Sequence, residues 1–352
     1  MQNRLPLVSV VIPMYKSKPY INACINSVLK INYPCYEILV IVDGNDTDTY
    51  YQVVSKFKNK KLKVFLSKKR LWLAGARSLG FKKSKGKYVA LLDHDVEVAS
   101  DWLDEHIAIL EEDKSVVATQ GKTLDINQRK IIQTTAIRLY KQFMWVKCVG
   151  FGEEDKGQYV SKEYSLAGAT NVVFRKSVVA KFGFYDEKLR FNIDDLDLAI
   201  RLWVSGYKTV TATRSIIYHW TAKSSKLRGQ MINKLIWEYE FAKTIRIVIK
   251  NYSLLNVFRY LPLVIFMLFL RGLYNLFQFK FMPIIGFALA FAWNIFYIKD
   301  TLEQRKIVQS RRKFADSVWM DFVSERGNVF SIVWDSIWYA RQKVKKVFLV
   351  KQ

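Results

Sequence analysis

The stretch Lys87-Tyr88-Val89-Ala90-Leu91-Leu92-Asp93-His94-Asp95 decides the fold. Tyr88 to Leu92 is an unbroken apolar run of strand length, punctuated at its start by Gly86. It is too short for an ordinary helix, and a run apolar on both faces suits a strand buried on both sides, as in a parallel sheet. The run stops at Asp93, His94 and Asp95. Side chains alternate along an extended chain, so Asp93 and Asp95 point one way and His94 the other. Two carboxylates at the C-terminal end of a buried strand sit where open α/β sheets bind ligands. Protons or a cation relieve their repulsion, and hard oxygen ligands select Mg²⁺ or Mn²⁺, ions that also hold substrate phosphates.

Working outward, strands alternate with helices at a spacing that predicts a doubly wound α/β sheet. Residues 7–12 form a β-branched run stopped by Pro13, and 17–30 carries Ile21, Ile25, Val28 and Leu29 on one helical face. Strands are predicted at 36–42 and 62–66, with helices at 49–57 and 73–83 around them. Beyond Asp95 the pattern loosens. A surface helix is predicted at 102–110, a short strand at 116–119, and a long substrate-facing excursion over 127–165. A strand at 171–174, a helix at 177–182 and a stronger helix at 195–204 follow, with Gly206 as its C-cap. Two strands, 208–210 and 215–218, close this half.

The chain of 352 residues carries a formal charge of +25. From Thr221 onward there are 22 Lys and Arg against 8 Asp and Glu, a net +14. That balance suits nucleic acid or an anionic membrane leaflet. Hydropathy decides for the membrane. Residues 233–250 form a basic amphipathic helix, and the apolar stretches 254–270 and 281–298 are each close to the roughly 20 residues that span a bilayer. A membrane hairpin with both basic flanks in the cytoplasm satisfies the positive-inside preference, although Arg271 and Lys280 then fall on the far side. The alternative is a re-entrant or surface-lying pair. No nucleic-acid-binding motif is present, so nucleic acid is not expected as a partner. Cys24, Cys35 and Cys148 are scattered and odd in number, which reads as reduced thiols in a cytosolic compartment. The N-terminus lacks the pattern of a signal peptide, which places the first domain in the cytoplasm.

Four motifs, in this order, resemble a family 2 glycosyltransferase of the GT-A fold: VSVVIPMYK from Val8, EILVIVDGNDTDT from Glu37, LAGARSLGFKKSKGKYVALLDHD from Leu73, and FRKSVVAKFGFYDEKLRFNIDDLDLAIRLWVSGYK from Phe174. The resemblance covers about residues 7–220. It implies an α/β, GT-A (Rossmann-like) nucleotide-diphospho-sugar transferase domain over 1–222. A basic interfacial helix over 223–252, a membrane hairpin over 253–299 and a basic cytoplasmic tail over 300–352 complete the expected organisation. The implied activity is inverting transfer of a sugar from a nucleotide-diphosphate donor to a lipid-linked or glycan acceptor at the cell membrane, with the catalytic domain on the cytoplasmic side. The alternatives are a polyprenyl-phosphate sugar synthase and, from another class, a non-catalytic membrane scaffold.

By the same resemblance Asp93 and Asp95 hold Mn²⁺ or Mg²⁺ on the diphosphate, and His219 joins the metal or a phosphate. Asp43 contacts the nucleoside, although the family's Asp-Asp-Gly-Ser is here Asp43-Gly44-Asn45-Asp46. Pro13 and Tyr15 frame the nucleoside, with the Tyr15 ring offered to the base. Arg77 meets a phosphate or anchors Asp43. Asp195 is the general base, because inversion needs a carboxylate opposite the departing diphosphate. Asp194 lies on the acceptor side by the same resemblance, although Asp194 and Asp197 are also explained as an N-cap and an N3 carboxylate. Gly168 and its neighbours Ala169 and Thr170 face the acceptor, His94 is structural, and His106 lies on a surface helix without a role.

Overall fold

A computed structural model describes residues 5–141, 144–220 and 234–325. The start of the expected interfacial helix and the tail beyond 325 lie outside the described residues. The chain runs β1 (Val8–Met14), α1 (Ile21–Leu29), β2 (Tyr36–Val42), α2 (Thr47–Lys56), β3 (Leu62–Leu66), α3 (Trp72–Lys83) and β4 (Tyr88–Leu91). It continues with β5 (Val96–Val98), α4 (Trp102–Glu112), β6 (Val116–Asp125), β7 (Ile132–Thr134), β8 (Ile137–Tyr140) and β9 (Trp145–Cys148). Then come β10 (Val172–Arg175), α5 (Lys176–Val179), α6 (Asp194–Val204) and β11 (Lys208–His219). Among the described residues six helices follow the sheet: α7 (Lys234–Ala242), α8 (Thr244–Asn251), α9 (Leu254–Phe277), α10 (Phe281–Phe296), α11 (Ile298–Ser310) and α12 (Asp316–Val323).

The main sheet has the order β3-β2-β1-β4-β10-β6-β11-β5, with β7 added to β6. β1, β2, β3 and β4 are parallel, as their two-sided apolar runs require, and every residue of β1, β2 and β4 is buried. α3 approaches β1 closely at Gly80, where a Cβ would lie 2.2 Å from Val11 Cγ1. β10 then runs antiparallel between β4 and β6, and β5 runs antiparallel to β11 at the edge. The strand β5 is three residues long and directly follows Asp95. A run that short carries no periodicity, so it is absent from the sequence expectation.

Other differences have equally local causes. The predicted strands 208–210 and 215–218 are one strand, β11, carried through a register shift between Ala212 and Ile216. The excursion over 127–165 holds β7 and the β8–β9 hairpin, each strand three or four residues long. The amphipathic helix expected through 250 is broken at Lys243 into α7 and α8. His106 is not on the surface. It is fully buried, with Nδ1 2.8 Å from Thr119 Oγ1 and Nε2 3.2 Å from Asn171 Oδ1. The amide oxygen of Asn171 only accepts, so Nε2 carries the proton, and burial lowers the His106 pKa to about 4. The Asn171 amide also donates to the Lys122 and Ser215 carbonyls, which ties α4, β6 and β11 around one polar hub.

The segment expected as a basic tail begins with two packed helices. Along α11, Arg246 of α8 reaches Asp300 at 2.7 Å and Thr301 at 2.7 Å, and Gln309 donates to the carbonyls of Lys250, Asn251 and Tyr252. α8 is bound in turn to the sheet domain. Lys250 lies 2.8 Å from Asp197 and 2.7 Å from Asp186, and Asn251 donates to Asp197 at 2.9 Å. These buried cations hold Asp186 and Asp197 below the usual carboxylate range against the opposing effect of burial. Asp197 is therefore an anchor for α8 and Arg201, not a cap carboxylate for α6.

Candidate active site

The sheet brings together residues that are 124 positions apart. Pairing of β5 with β11 sets His219 opposite Val96, and the Trp220 N–H donates to the Asp95 carbonyl at 3.1 Å. Asp93, Asp95 and His219 each present a ligand atom, and these atoms all lie within 4.8 Å of one another. Asp95 is fully buried, whereas the Asp93 and His219 side chains are each 16% exposed and open the cluster to solvent. The Asp93 N–H donates to Thr170 Oγ1 at 3.0 Å, which fixes the strand end. β4 ends at Leu91 and the chain turns at His94 and Asp95, where the His94 ring lies 6.0 Å from that of Tyr20.

The tautomer of His219 follows from its neighbour. Gln133 Nε2 donates to the His219 carbonyl at 3.0 Å, and a carbonyl only accepts, so the amide oxygen faces the ring. That oxygen lies 2.9 Å from His219 Nδ1, so Nδ1 carries the proton. Nε2 then presents a lone pair toward Asp95 Oδ1, 3.4 Å away. Two carboxylates and a correctly oriented imidazole nitrogen are a donor set that fits Mn²⁺ or Mg²⁺. Gln133 is invisible to sequence reading because its partner is 86 residues distant.

Arg77 joins this cluster to the second acidic site. Its guanidinium is buried and pairs with Asp93 at 2.9 Å and Asp194 at 3.2 Å. It does not anchor Asp43, which corrects one of the two roles expected for it. Arg77 thus pairs with one carboxylate of each acidic corner, Asp93 and Asp194, and the Asp195 charge lies close by. Burial raises the Asp194 and Asp195 pKa values, with Arg77 opposing and the neighbouring carboxylates assisting. The excess negative charge is itself an argument for a bound cation. Asp194 is not an N-cap, since Ile193 occupies that position and α6 begins at Asp194. Asp194 is buried and engaged, whereas Asp195 is partly exposed.

The loop before α6 is strained, with φ of +45° at Arg190 and +80° at Asn192. It is clamped to α3, because the Ala74 N–H donates to the Arg190 carbonyl and Phe191 stacks on Trp72 at 5.6 Å. Asp43 lies at the end of β2 and accepts from the N–H groups of Leu71 at 2.6 Å and Trp72 at 3.0 Å. Arg70 adds an ion pair at 3.0 Å and lays its guanidinium 3.3 Å over the Tyr15 ring. Asp46, the departure from the family pattern, caps α2 by accepting from the Thr49 N–H at 3.2 Å. Pro13 is buried in β1 beside Ile41, and Tyr15 is partly exposed. The Gly168 N–H donates to Gln120 Oε1, and a Cβ there would meet Ile137 Cδ1 at 2.6 Å, so its place is set by packing.

This sheet order with two acidic corners defines a GT-A-like nucleotide-sugar fold. The chain superposes on the structure of GalNAc-T7 with UDP, GalNAc and Mn²⁺ at a TM-score of 0.51, with 21% identity, over 70% of this chain and 52% of that one. Residues 9–182 match the family model for glycosyl transferase family 2, and the chain belongs to that family. It is 27% identical over 237 residues to the amylovoran biosynthesis glycosyltransferase AmsB of Erwinia amylovora, covering 65% of this chain and 75% of AmsB. It is 32% identical over 104 residues to WfgD of Escherichia coli, a UDP-Glc:alpha-D-GlcNAc-diphosphoundecaprenol beta-1,3-glucosyltransferase, covering 30% of this chain and 41% of WfgD. The chain spans little more than half the length of some curated relatives it matches, 54% in one case.

Proposed function

We propose that this chain is an inverting, divalent-metal-dependent glycosyltransferase that moves a sugar from a nucleotide-diphosphate donor to a membrane-presented, lipid-linked glycan. The observation that carries this reading is the bridge of Arg77 between the Asp93–Asp95–His219 cluster and the Asp194–Asp195 pair. A donor site and an acceptor-side base are thereby held at a fixed separation. In this reading Asp93, Asp95 and His219 hold the ion, which when bound stabilises negative charge on the leaving diphosphate. Asp43, Arg70 and Tyr15 line the nucleoside side. Asp195 takes the acceptor hydroxyl proton as that oxygen attacks the anomeric carbon. The sugar–phosphate C–O bond breaks and its electron pair leaves with the diphosphate. Asp194, held by Arg77, keeps the start of α6 in register with the donor.

The acceptor class is supported by the activity of the relative WfgD on a diphosphoundecaprenol-linked sugar and by the apolar helix Leu254–Phe277. Arg190, four residues before Asp194, lies 3.7 Å from Glu240 of α7, so the acceptor side of the site adjoins the helical region. We assign the catalytic domain to the cytoplasmic face of the cell membrane. The test offers membranes containing the full chain a nucleotide sugar, with polyprenyl phosphate and a polyprenyl-diphosphate-linked sugar supplied separately. Thin-layer separation of labelled products is expected to show extension of the lipid-linked sugar. Product on polyprenyl phosphate alone would instead identify a polyprenyl-phosphate sugar synthase.

A further inference from the structure

The apolar helix pair α9–α10 is long enough to suggest a hairpin through the bilayer, yet its contacts describe a different placement. We propose that the pair lies flat in one leaflet of an anionic bilayer, as a monotopic platform beneath the catalytic domain, without crossing. The proposal specifies the geometry of the membrane contact invoked above. Its test reads topology and not turnover, so the two can fail separately.

Each helix is pinned to the protein at two points along its length. At the start of α9, the Ser253 N–H and Asn256 side chain donate to Asp316 at 2.7 and 2.8 Å. Near its end, Arg271 makes a two-pronged pair with Glu238 of α7 at 2.7 and 2.8 Å, and lies over Phe241 and over Trp145 of β9. Arg271 is 17 residues beyond Leu254, about 25 Å along the helix axis at 1.5 Å per residue. In a crossing hairpin it would stand near the far headgroups. Its contact with Trp145, a residue of the sheet domain, would then carry that domain across the membrane.

α10 is held as tightly. Gly286 packs so close to α7 that a Cβ would sit 2.4 Å from the Leu235 carbonyl oxygen, and Trp293 lies beneath the Lys243 ammonium at 4.5 Å. α7 itself rests on the catalytic domain through Arg190–Glu240 and the hydrogen bond from Lys243 to the Lys188 carbonyl at 3.1 Å. α10 has 16 residues, or about 24 Å, less than the roughly 30 Å of hydrocarbon it would have to cross. It then bends by 65° into α11, which returns to α8.

The outward faces fit lipid. On α9, Val257, Tyr260, Val264 and Leu268 form the inner stripe, while Leu255, Phe258, Phe266, Phe269 and Phe277 are exposed. On α10, Met282, Ile285, Leu289 and Phe296 are exposed. A helix facing water carries polar residues there, and an in-plane helix carries aromatic and aliphatic ones, buried some 5–10 Å below the headgroups. An apolar groove of about 730 Å³ runs between the two helices, lined by Pro262, Phe266, Phe269, Leu276, Ile284 and Phe291, open to acyl chains. Residues 253–313 hold nine Lys and Arg against two acidic residues, which selects an anionic leaflet over a second copy of this equally basic face.

The test places a cysteine at the α9–α10 turn, Gln278→Cys, in the full chain with Cys35→Ser and Cys148→Ser. Lys156→Cys on an exposed loop of the catalytic domain is the reference. A membrane-impermeant maleimide is applied to oriented membrane vesicles of both sidedness. Labelling of both positions from the same side, in a ratio near one, is expected. Labelling of position 278 only from the opposite side, or from neither, overturns the proposal. In flotation with phosphatidylglycerol vesicles, the triple variant Phe258→Ser, Phe266→Ser, Phe269→Ser is expected to lose at least tenfold in bound fraction with its thermal unfolding unchanged. Wild-type protein that forms dimers through this face and does not float would overturn it as well.

Discussion

Asp195→Asn is expected to lower the turnover number by 10²- to 10⁴-fold while nucleotide affinity changes by less than about twofold, the range attributed to a general base. The substitution keeps the shape of the side chain and removes only its ability to take a proton. Asp194 is the wrong member of the pair for that task, because it is fully buried and spends its carboxylate on Arg77. Asp195 follows it on the first turn of α6 and is the partly exposed member. Burial and the Asp93 charge raise its pKa above the ordinary carboxylate value, against Arg77. A base acts in its deprotonated form, so activity is lost as pH falls through that raised value. The acid limb of kcat/KM is therefore expected above pH 4, where an ordinary aspartate would still be ionised. Steady-state nucleotide release over pH, with calorimetric titration of the nucleotide, checks both parts. Unchanged turnover by Asp195→Asn would remove it from the mechanism.

The second large effect is expected at Arg77. Arg77→Met leaves Asp93 and Asp194 without their shared cation in a buried setting. Breaking a buried pair on one side costs about 3–5 kcal/mol, because an uncompensated charge remains inside. For a chain of this size that corresponds to a fall in Tm on the order of 10 °C, read by scanning calorimetry. Arg77→Lys is expected to recover only part of it, since one ammonium cannot fork between two carboxylates as a guanidinium does. Activity is expected to fall in both variants, because the two acidic corners lose their fixed spacing. A Tm within 2 °C of wild type in Arg77→Met would show that the bridge does not hold the site together.

The residues that were legible in the sequence are those whose signal is local. Tyr88–Leu91 announces a buried strand by composition, whereas Asp93 and Asp95 come together across the turn that follows it. The parts that escaped depend on partners far along the chain. His106 reads as a surface residue until Thr119 and Asn171 enclose it. Arg77 was matched to a phosphate or to Asp43, whereas Asp43 is held by Arg70 and two backbone N–H groups at the start of α3. α11 did carry a usable signal, since Thr301, Arg305 and Gln309 recur every four residues and form the face that binds α8. At α9 hydropathy alone suits a span, whereas contacts made far along the chain, Arg271 with Glu238 and Ser253 with Asp316 among them, hold the helix to the protein.

Asp197 illustrates how one carboxylate serves two levels of the structure. It lies one turn into the helix that carries the proposed base, yet its partners Lys250 and Asn251 belong to α8. The helical region and the catalytic corner are therefore joined by buried charge, not by a loose linker. The helices after the sheet and the start of α6 are in this way held together through Asp197.

Asp93, Asp95 and His219 are proposed to hold a divalent ion needed for release of the nucleotide diphosphate. The most direct test is nucleoside-diphosphate release by the full chain across UDP-, GDP- and dTDP-sugars, with Mn²⁺, Mg²⁺ or EDTA, in wild type and in Asp95→Asn. With the accepted donor, release is predicted to fall on the order of 100-fold or more both on chelation and in Asp95→Asn. Turnover of that donor unchanged by EDTA and by Asp95→Asn would contradict the account.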